Sequence, residues 1–229
     1  GDPEIPDDIT LWGLRIAICQ GFGLYANVRP ALKFPGLRSP LIPELADQIN
    51  WVVVRENSEG EYAGVGGRSH QSFAHEIAVD AAVFSRVGIE RVQRFAFELC
   101  RCRSIKHLTF VTKSNAQRFG MVLWDEVFAD LAEEYSVVET DKVLVDAAAA
   151  RMVLDPGSFD VIVASNLHGD ILSDLAGALS GSLGLSASGN IDPSRTNPSM
   201  FEPVHGSAPD IHGSGIANPI ATVWSGAMM

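Results

Sequence analysis

A short apolar run that leads directly into a helical pattern constrains the fold of this chain more than any other feature. Residues 161–164 are all apolar and mostly β-branched, as is typical of a buried strand. Ser165 and Asn166 favour the beginning of a helix. Apolar residues then recur at helical spacing, at Ile171, Leu172, Leu175, Ala176 and Leu179. The pattern predicts a buried strand that passes straight into a helix.

Two carboxylates lie in the first turns of this predicted helix. Asp170 and Asp174 are four residues apart and therefore share one face, where like charges repel by roughly a few tenths of a kcal/mol. A divalent cation between them would offset that repulsion, because hard cations prefer carboxylate oxygens. Alternatively, both acids simply interact with the positive end of the helix dipole. On spacing alone, the interaction with the dipole is the more common explanation.

The rest of the chain also alternates between strand and helix patterns, which makes it an α/β protein. We predict strands at residues 51–54, 108–111 and 137–139, helices at 85–103, 122–135, 143–154 and from Ala217, and loops at 30–43 and 186–203. Four glycines surround Tyr62 in residues 60–67, and a near-alternating segment follows. This pattern predicts a β-arm at about residues 57–81, of a kind that often exchanges between subunits.

Composition argues against several classes of partner. The 229 residues include 28 acidic and 17 basic side chains, and the net charge of −11 disfavours nucleic acid and anionic membranes. The sequence has no apolar run of about 18 residues and no signal-peptide pattern. Cys19, Cys100 and Cys102 are too few for a disulfide framework, and the last two would point to different faces of one helix. We therefore expect a soluble cytoplasmic protein.

Common nucleotide-binding and nucleophile motifs do not occur in this sequence. No Gly-x-Gly-x-x-Gly segment follows a strand, and Gly21-Phe22-Gly23 lacks the third glycine of a Rossmann fingerprint. Neither a Walker loop nor a Gly-x-Ser-x-Gly elbow is present. Any nucleotide would have to bind in another way, so we expect a non-Rossmann site.

Five ordered segments, spread over nearly the whole chain, resemble one family in sequence. They are residues 25–30, residues 54–62, residues 112–115, residues 166–174 and residues 201–211. The family is the β-decarboxylating dehydrogenases, which includes isopropylmalate, isocitrate, homoisocitrate and tartrate/D-malate dehydrogenases. Residues 11–13, 18–22 and 112–117 are most similar to the tartrate/D-malate branch.

The resemblance implies an isopropylmalate dehydrogenase-like two-domain fold. Residues 1–24 and 181–229 would belong to an incomplete nucleotide-binding domain. Residues 25–180 would form the domain for substrate, metal and dimerisation, with the β-arm at the dimer interface. The implied protein is a homodimer with shared active sites, without nucleic acid or membrane partners.

The resemblance also implies a metal site and a substrate site. Asp170 and Asp174, with Asp146 from the partner subunit, would hold Mg²⁺ or Mn²⁺ against the hydroxyl and carboxylate of the substrate. Arg29 and Arg55 would bind the carboxylates of a small 2-hydroxy dicarboxylic acid, which suits the planar fork of a guanidinium. The expected reaction is oxidation with β-decarboxylation of tartrate or D-malate.

Two catalytic residues follow from the same resemblance. Lys113, with Asn115 and also from the partner subunit, would take the proton of the substrate hydroxyl, which requires a lowered amine pKa. Tyr62 would protonate the enolate that remains after CO₂ leaves. NAD would be bound by Glu202, His205, Gly206, Ser207, Ala208, Asp210, Ile211 and Asn218. Asp210 would contact the adenosine ribose and would repel the 2′-phosphate of NADP.

Several of these residues also have an ordinary structural explanation, although Arg55, directly after a buried strand, is harder to explain in that way. Tyr62 could pack on a flexible arm, and Lys113 and Arg29 could be solvated surface charges. Asp146 could be an ordinary helix residue, and its metal role depends entirely on the resemblance. His168 stands where relatives usually carry phenylalanine, and we assign it no role.

The chain departs from the family at two places. Relatives usually have an arginine ten residues before Arg29 that holds the substrate carboxylate, whereas this chain has Cys19 there, and the nearby Arg15 is a candidate substitute. The first strand and a Gly-Asp-Gly-Ile-Gly segment of the family have no counterpart, and the last matched helix stops early, so we expect a chain truncated at both ends. The alternatives are a 3-isopropylmalate dehydrogenase, or a catalytically silent family member that acts only in binding or oligomerisation.

Overall fold

The predicted strand and helix lie at the centre of the fold. In the computed structural model, which describes residues 4–229, β7 (Val161–Ala164) is buried throughout and α7 (Asn166–Ser180) follows it directly. Strand β7 runs parallel to β2 (Asn50–Glu56) on one side and to β5 (His107–Thr112) on the other. Ser165 is the N-cap residue, although its side chain makes no capping hydrogen bond.

Seven strands form the main sheet, in the order β6-β5-β7-β2-β1-β8-β9. The remaining strands of this sheet are β1 (Ala26–Leu32), β6 (Glu139–Leu144), β8 (Ala187–Ile191) and β9 (Met200–Pro203). The first four strands of the order are parallel, and the other pairs are antiparallel. The predicted arm is a separate antiparallel pair, β3 (Gly60–Ser69) with β4 (Ile77–Val83).

Helices cover both faces of the sheet. They are α1 (Asp7–Thr10), a π-helical segment (Leu11–Ile16), α2 (Ala17–Gly21), α3 (Pro43–Ala46), α4 (Arg86–Cys102), α5 (Gly120–Glu134), α6 (Val145–Leu154) and α8 (Ile220–Ala227). Short 3-10 turns occur at Pro156–Ser158, Leu183–Leu185 and Pro209–Ile211. None of the helices in the described part of the chain combines the length and apolar character that a membrane crossing requires.

Strand β2 separates two apolar cores because its side chains alternate between the faces of the sheet. Val52 and Val54 belong to the core formed with α4 and α5, which includes Phe97, Phe110 and Trp124. Trp51 and Val53 belong to the core formed with α6 and α7, which includes Met152, Ile162 and Leu172. Both faces are buried, which explains why the strand is a continuous apolar run.

Three predictions about the elements were wrong. The predicted loop at residues 186–203 contains β8 and β9, since β8 is built from small and polar residues that give no apolar pattern. The loop predicted at residues 30–43 starts too early, because strand β1 continues through Pro30 to Leu32. Proline is tolerated there because β8 pairs only with residues 26–28, so Pro30 has a single neighbouring strand. The strand predicted at 137–139 instead begins at Glu139, so the following helix starts at Val145.

Other sequence expectations have mixed outcomes. The helix predicted at residues 85–103 is confirmed as α4, with Ser85 as its N-cap. Cys100 is buried and Cys102 is exposed, as expected for different faces of one helix. Strands β8 and β9 lie beyond the predicted domain boundary at residue 180 and are hydrogen-bonded to the rest of the sheet through β1. The division into two domains remains a prediction.

Candidate active site

Several of the predicted substrate, catalytic and metal-binding residues lie near one edge of the parallel part of the sheet. Arg55 lies at the end of β2, Lys113 directly follows β5, and Asp146 follows β6. Helix α7, which carries Asp170, begins where β7 ends. The carboxyl ends of parallel strands meet at one edge, and ligands of open α/β sheets commonly bind there.

Asp170 is the centre of a compact polar cluster. Its Oδ1 accepts a hydrogen bond from Nη1 of Arg29 at 3.1 Å and forms an ion pair with Arg55. The hydroxyl of Tyr62 donates to Oδ2 at 3.1 Å, and the Arg55 guanidinium lies 5.2 Å from the centre of the Tyr62 ring. A cavity of about 220 Å³ is lined by all four of these side chains. Three of the predicted substrate and catalytic residues and one predicted metal ligand therefore meet within a single chain.

The two arginines are held rigidly beneath this cavity. Arg29 and Arg55 are 5% and 2% exposed. Nε of Arg29 donates to Oδ1 of Asn27 at 2.6 Å, and Nε of Arg55 donates to Oδ1 of Asn166 at 2.9 Å. A Cβ on Gly169 would lie 2.7 Å from Cβ of Arg55, so only glycine lets α7 pass this close to β2. The guanidinium groups are thus fixed in direction before any ligand binds.

Burial and charge shift the acid–base properties of the cluster. Burial and the neighbouring Arg29 lower the pKa of Arg55 to about 10, which leaves it cationic at neutral pH. Burial alone would raise the pKa of Asp170, but Arg55 and Arg29 outweigh it and hold that pKa below its usual range. Burial and the Asp170 carboxylate raise the pKa of Tyr62, so its hydroxyl keeps its proton at neutral pH.

Asp174 differs from Asp170, although both lie on one face of α7. Its Oδ1 is 3.8 Å from Nη1 of Arg29, and its side chain is 56% exposed. Burial raises the pKa of Asp174 despite the opposing effect of Arg29. Within residues 4–229, no three His, Cys, Asp or Glu side chains are grouped closely enough to hold a metal ion. One chain therefore offers Asp170 and Asp174 as oxygen donors, without a third acidic ligand.

Lys113 and Asp146 form an ion pair with each other at the same edge of the sheet. Their side chains are 28% and 66% exposed. The hydrogen bond from Lys113 lowers the pKa of Asp146. Asn115 is exposed in the turn after β5. These three predicted residues do not line the cavity at Asp170.

The predicted cofactor residues lie mainly around a second cavity of about 560 Å³. Six of them line it: His205, Gly206, Ser207, Ala208, Ile211 and Asn218. Asp210 is exposed on the neighbouring 3-10 turn, and Glu202 instead lines the smaller cavity. His205 and Gly206 line both cavities, so the two spaces adjoin.

Arg15, the candidate substitute for the family arginine at the position of Cys19, is a residue of the cavity that the predicted site residues did not include. It extends from the π-helical segment into the smaller cavity, and its Nε donates to Oε1 of Glu202 at 2.8 Å. Cys19 is buried, at 1% exposure, four residues further along the chain. That spacing is about one helical turn, which would have placed Arg15 near Cys19 had the segment been recognised as helical.

Comparison with known proteins gives consistent matches. A family model described as isocitrate/isopropylmalate dehydrogenase matches residues 10–229. A probable tartrate dehydrogenase/decarboxylase of Agrobacterium vitis is 58% identical over 229 residues, which is 100% of this chain and 64% of that protein. The D-malate dehydrogenase (decarboxylating) of Escherichia coli is 50% identical over 98% of this chain and 62% of its own length. The chain thus spans less than two thirds of the length of these relatives.

A solved structure agrees with the sequence matches. The crystal structure of isocitrate dehydrogenase from Methylococcus capsulatus superposes with a TM-score of 0.86 at 42% identity. The match covers 94% of this chain and 61% of the other. The α/β fold predicted from the sequence is therefore confirmed.

Proposed function

Because the chain belongs to the isocitrate/isopropylmalate dehydrogenase family, we propose that it oxidises and decarboxylates a small 2-hydroxy dicarboxylic acid, with tartrate or D-malate as the substrate. The observation that most supports this proposal is the cluster of Arg29, Arg55, Tyr62 and Asp170 around one small cavity. The cavity adjoins a larger one beside the predicted cofactor segment, as transfer of a hydride to a bound cofactor requires. The similarity to tartrate and D-malate dehydrogenases supports this choice of acids.

The donor set at α7 suits a hard divalent cation. Asp170 and Asp174 present carboxylate oxygens on one face, and we propose that they hold Mg²⁺ or Mn²⁺ together with Asp146 of the partner subunit. When bound, the metal would polarise the reacting oxygen while NAD accepts the hydride. The ion pairs from Arg29 and Arg55 to Asp170 keep this carboxylate ionised, which a metal ligand must be.

The side chains of the cavity can bind the acid and supply a proton. We propose that Arg29 and Arg55 bind a substrate carboxylate, since both guanidinium groups are buried and fixed in direction. Tyr62 keeps its proton at neutral pH and is therefore suited to donate it to carbon after CO₂ leaves. Lys113 of the partner subunit, together with Asn115, would take the proton of the substrate hydroxyl.

NAD would bind in the larger cavity. Residues 205–208, Ile211 and Asn218 line this space, while Glu202 lies where the two cavities adjoin. Asp210 on the adjacent turn would contact the ribose and would disfavour the extra phosphate of NADP. Substitution of Asp210 by a neutral residue should therefore weaken the preference for NAD over NADP.

A second copy of the chain would complete the site. The arm exposes several large apolar side chains, with Phe73 at 64%, Val79 at 58% and Ile77 at 53% exposure. Phe119 is 86% exposed beside a cavity of about 690 Å³ that also includes Val83 at the end of the arm. Apolar surfaces of this kind mark protein interfaces, and we propose that they bury against each other in a homodimer.

The decisive test is NADH formation from D-malate, tartrate and 3-isopropylmalate in the presence of Mn²⁺. Turnover of D-malate or tartrate is expected. The second candidate is 3-isopropylmalate, because Leu11 gives the small cavity an apolar wall. Binding of Mn²⁺ and NAD without turnover of any acid would instead identify a silent family member.

A further inference from the structure

Asp125 lies beside the end of strand β5 because the apolar core fixes how helix α5 packs on that strand. Phe110 on β5 stacks on Trp124 on α5, with ring centroids 6.0 Å apart, and both side chains are fully buried. Thr112 is on the same face of the strand as Phe110, because side chains alternate along a strand. Asp125 directly follows Trp124, and its carboxylate therefore meets the hydroxyl of Thr112.

The carboxylate of Asp125 contacts both neighbours of Lys113 in the sequence. Its Oδ1 accepts a hydrogen bond from Oγ1 of Thr112 at 2.7 Å, and its Oδ2 accepts one from Oγ of Ser114 at 2.8 Å. Oγ1 of Thr112 also accepts from the backbone N–H of Ser114 at 3.2 Å. The Asp125 side chain is 18% exposed, so these contacts form largely away from water, where hydrogen bonds are stronger.

The backbone of Lys113 is also held at its carbonyl group. The carbonyl oxygen accepts hydrogen bonds from the N–H groups of Ala116 and Gln117, each at 2.9 Å. The side chain of Lys113, by contrast, is 28% exposed and pairs with the exposed carboxylate of Asp146. A long, flexible side chain thus starts from a backbone of defined position, which narrows the region that its amine can reach.

We propose that Asp125 is a positioning residue for the base of the reaction. By holding Thr112 and Ser114 on one carboxylate, it fixes the turn from which Lys113 extends toward the cavity of the partner subunit. Asp125 does not line the acid cavity of its own chain, so its effect on the reaction passes through Lys113. This inference rests on the proposed function and adds a residue that sets the rate of the chemical step without contacting the substrate. A displacement of about 1 Å in such a group lowers a rate by up to about 10²-fold.

The alternative is that Asp125 only joins α5 to the sheet. Its Oδ2 also accepts a hydrogen bond from Nζ of Lys142 on β6, at 2.8 Å, which ties the helix to a second strand. A purely structural tie would change kcat by the same factor whether or not Lys113 is present. A positioning residue changes kcat only while the amine that it positions is there.

The experiment is a double-mutant cycle between Asp125→Ala and Lys113→Met. It measures kcat with Mn²⁺ present, for the acid that the unaltered protein oxidises fastest, and the Kd of that acid by calorimetry. Asp125→Ala should lower kcat about 10- to 30-fold. It should change the Kd less than about 2-fold, because Asp125 does not line the cavity. In a protein that already carries Lys113→Met, Asp125→Ala should lower kcat by less than about a further 2-fold.

Two further variants separate the contacts with the turn from the charge of Asp125. Asp125→Asn keeps an oxygen acceptor for Thr112 and offers Ser114 an N–H donor, which a hydroxyl can accept, so kcat should stay within about 3-fold of the unaltered value. Lys142→Met is the matched control: it removes the charged partner of Asp125, which is 52% exposed, and should leave kcat unchanged.

Three results would overturn the inference: no loss of kcat in Asp125→Ala, an equal loss with and without Lys113, or a loss in Asp125→Asn as large as that in Asp125→Ala. If the unaltered protein oxidises an acid, Lys113→Met is slow and only the Asp125 variants disagree, the proposed function stands and the role of Asp125 falls. If the unaltered protein oxidises no acid, both fall.

Discussion

The cavity at Asp170 and the Lys113–Asp146 pair lie at the same edge of the sheet but differ in how their charges are satisfied. At Asp170, two arginines that are at most 5% exposed meet a carboxylate and a tyrosine hydroxyl. Lys113 and Asp146 form an ion pair with each other, and their side chains are 28% and 66% exposed. The first group is completed within one chain, whereas the second has no contact with the cavity it is expected to serve.

The free-energy cost of burying a charge explains this difference. Buried charges require internal partners, so the arginines and Asp170 must be assembled by the fold of a single chain. An exposed ion pair is worth little, and its members can change partners at small cost. Lys113 and Asp146 are therefore suited to exchange their contact for new ones when a second copy approaches. This difference supports our proposal that the site is divided between two subunits.

The largest expected effect is that of Asp170→Asn. This change removes the carboxylate that Arg29, Arg55 and Tyr62 all contact, and it removes a proposed metal ligand. We expect kcat/KM for D-malate to fall about 10⁴-fold, as measured by NADH formation. Asp130→Asn, which alters an exposed ion pair with Arg86, is the control and should retain activity. Retained activity in Asp170→Asn would show that the cavity is not the site.

A smaller loss is expected from Lys113→Met. Because this variant lacks the proposed base, its kcat should be about 10²- to 10³-fold lower than that of the unaltered protein. The Kd of D-malate and the thermal stability should not change, because Lys113 is exposed and does not line the cavity. Lys142→Met, which removes another lysine–aspartate pair, should leave kcat unchanged. A loss of D-malate affinity comparable to the loss of kcat would contradict the separation of the two regions.

A charge introduced on the β-arm should lower activity by weakening the proposed dimer. Val79 is 58% exposed on β4, and Val79→Lys would place a cation in the proposed dimer interface. We expect the dimer to dissociate at about 10-fold higher protein concentration, with specific activity falling in parallel. Sedimentation and activity should be measured over the same dilution series. A monomer with full activity would contradict a shared site.

The smallest expected effect is a difference between Asp170 and Asp146 in how much each contributes to the loss of folding stability at low pH. Because the pKa of Asp170 is lowered in the folded state, its contribution to stability is present above the unfolded pKa of about 3.9 and is lost as the pH falls through the folded pKa. The pKa of Asp146 is also lowered, but its ion pair is exposed. In metal-free buffer, Asp170→Asn should therefore lose less stability than the unaltered chain between pH 5 and about pH 3, whereas Asp146→Asn should follow the unaltered chain. Urea unfolding measures both, and identical pH profiles for all three proteins would contradict the assignment.

The sequence predicts those strands and helices whose apolar residues form a recognisable pattern within one short segment. Strands β2 and β7 contain continuous apolar runs, β5 is largely apolar, and α4 has a clear apolar stripe with Ser85 at its cap. Strand β8 has no such run, because its residues are mostly small or polar, and it is buried by pairing with distant β1 and β9 and by helix α8. Pairing of that kind leaves no periodicity in the sequence.

The candidate site shows the same division between local and distant information. The spacing of Asp170 and Asp174 is local and was read correctly as one helix face. The contact of Arg15 with Glu202 joins residues 187 positions apart, and nothing near Arg15 in the sequence indicates it. In the same way, Nδ2 of Asn27 and Nδ2 of Asn57 both donate to Oδ1 of the distant Asn190. Long-range polar contacts of this type become visible only when the sheet order is known.

The most direct test of the shared site is complementation between two inactive variants. Lys113→Met and Asp170→Asn would be mixed, dissociated and reassociated, and NADH formation from D-malate measured against each variant alone. A mixed dimer carries one site with both changes and one site with neither, so random reassociation should restore about a quarter of the unaltered activity. If the mixture stays as inactive as its components while forming mixed dimers, Lys113 and Asp170 do not act across the subunit boundary, and the account is contradicted.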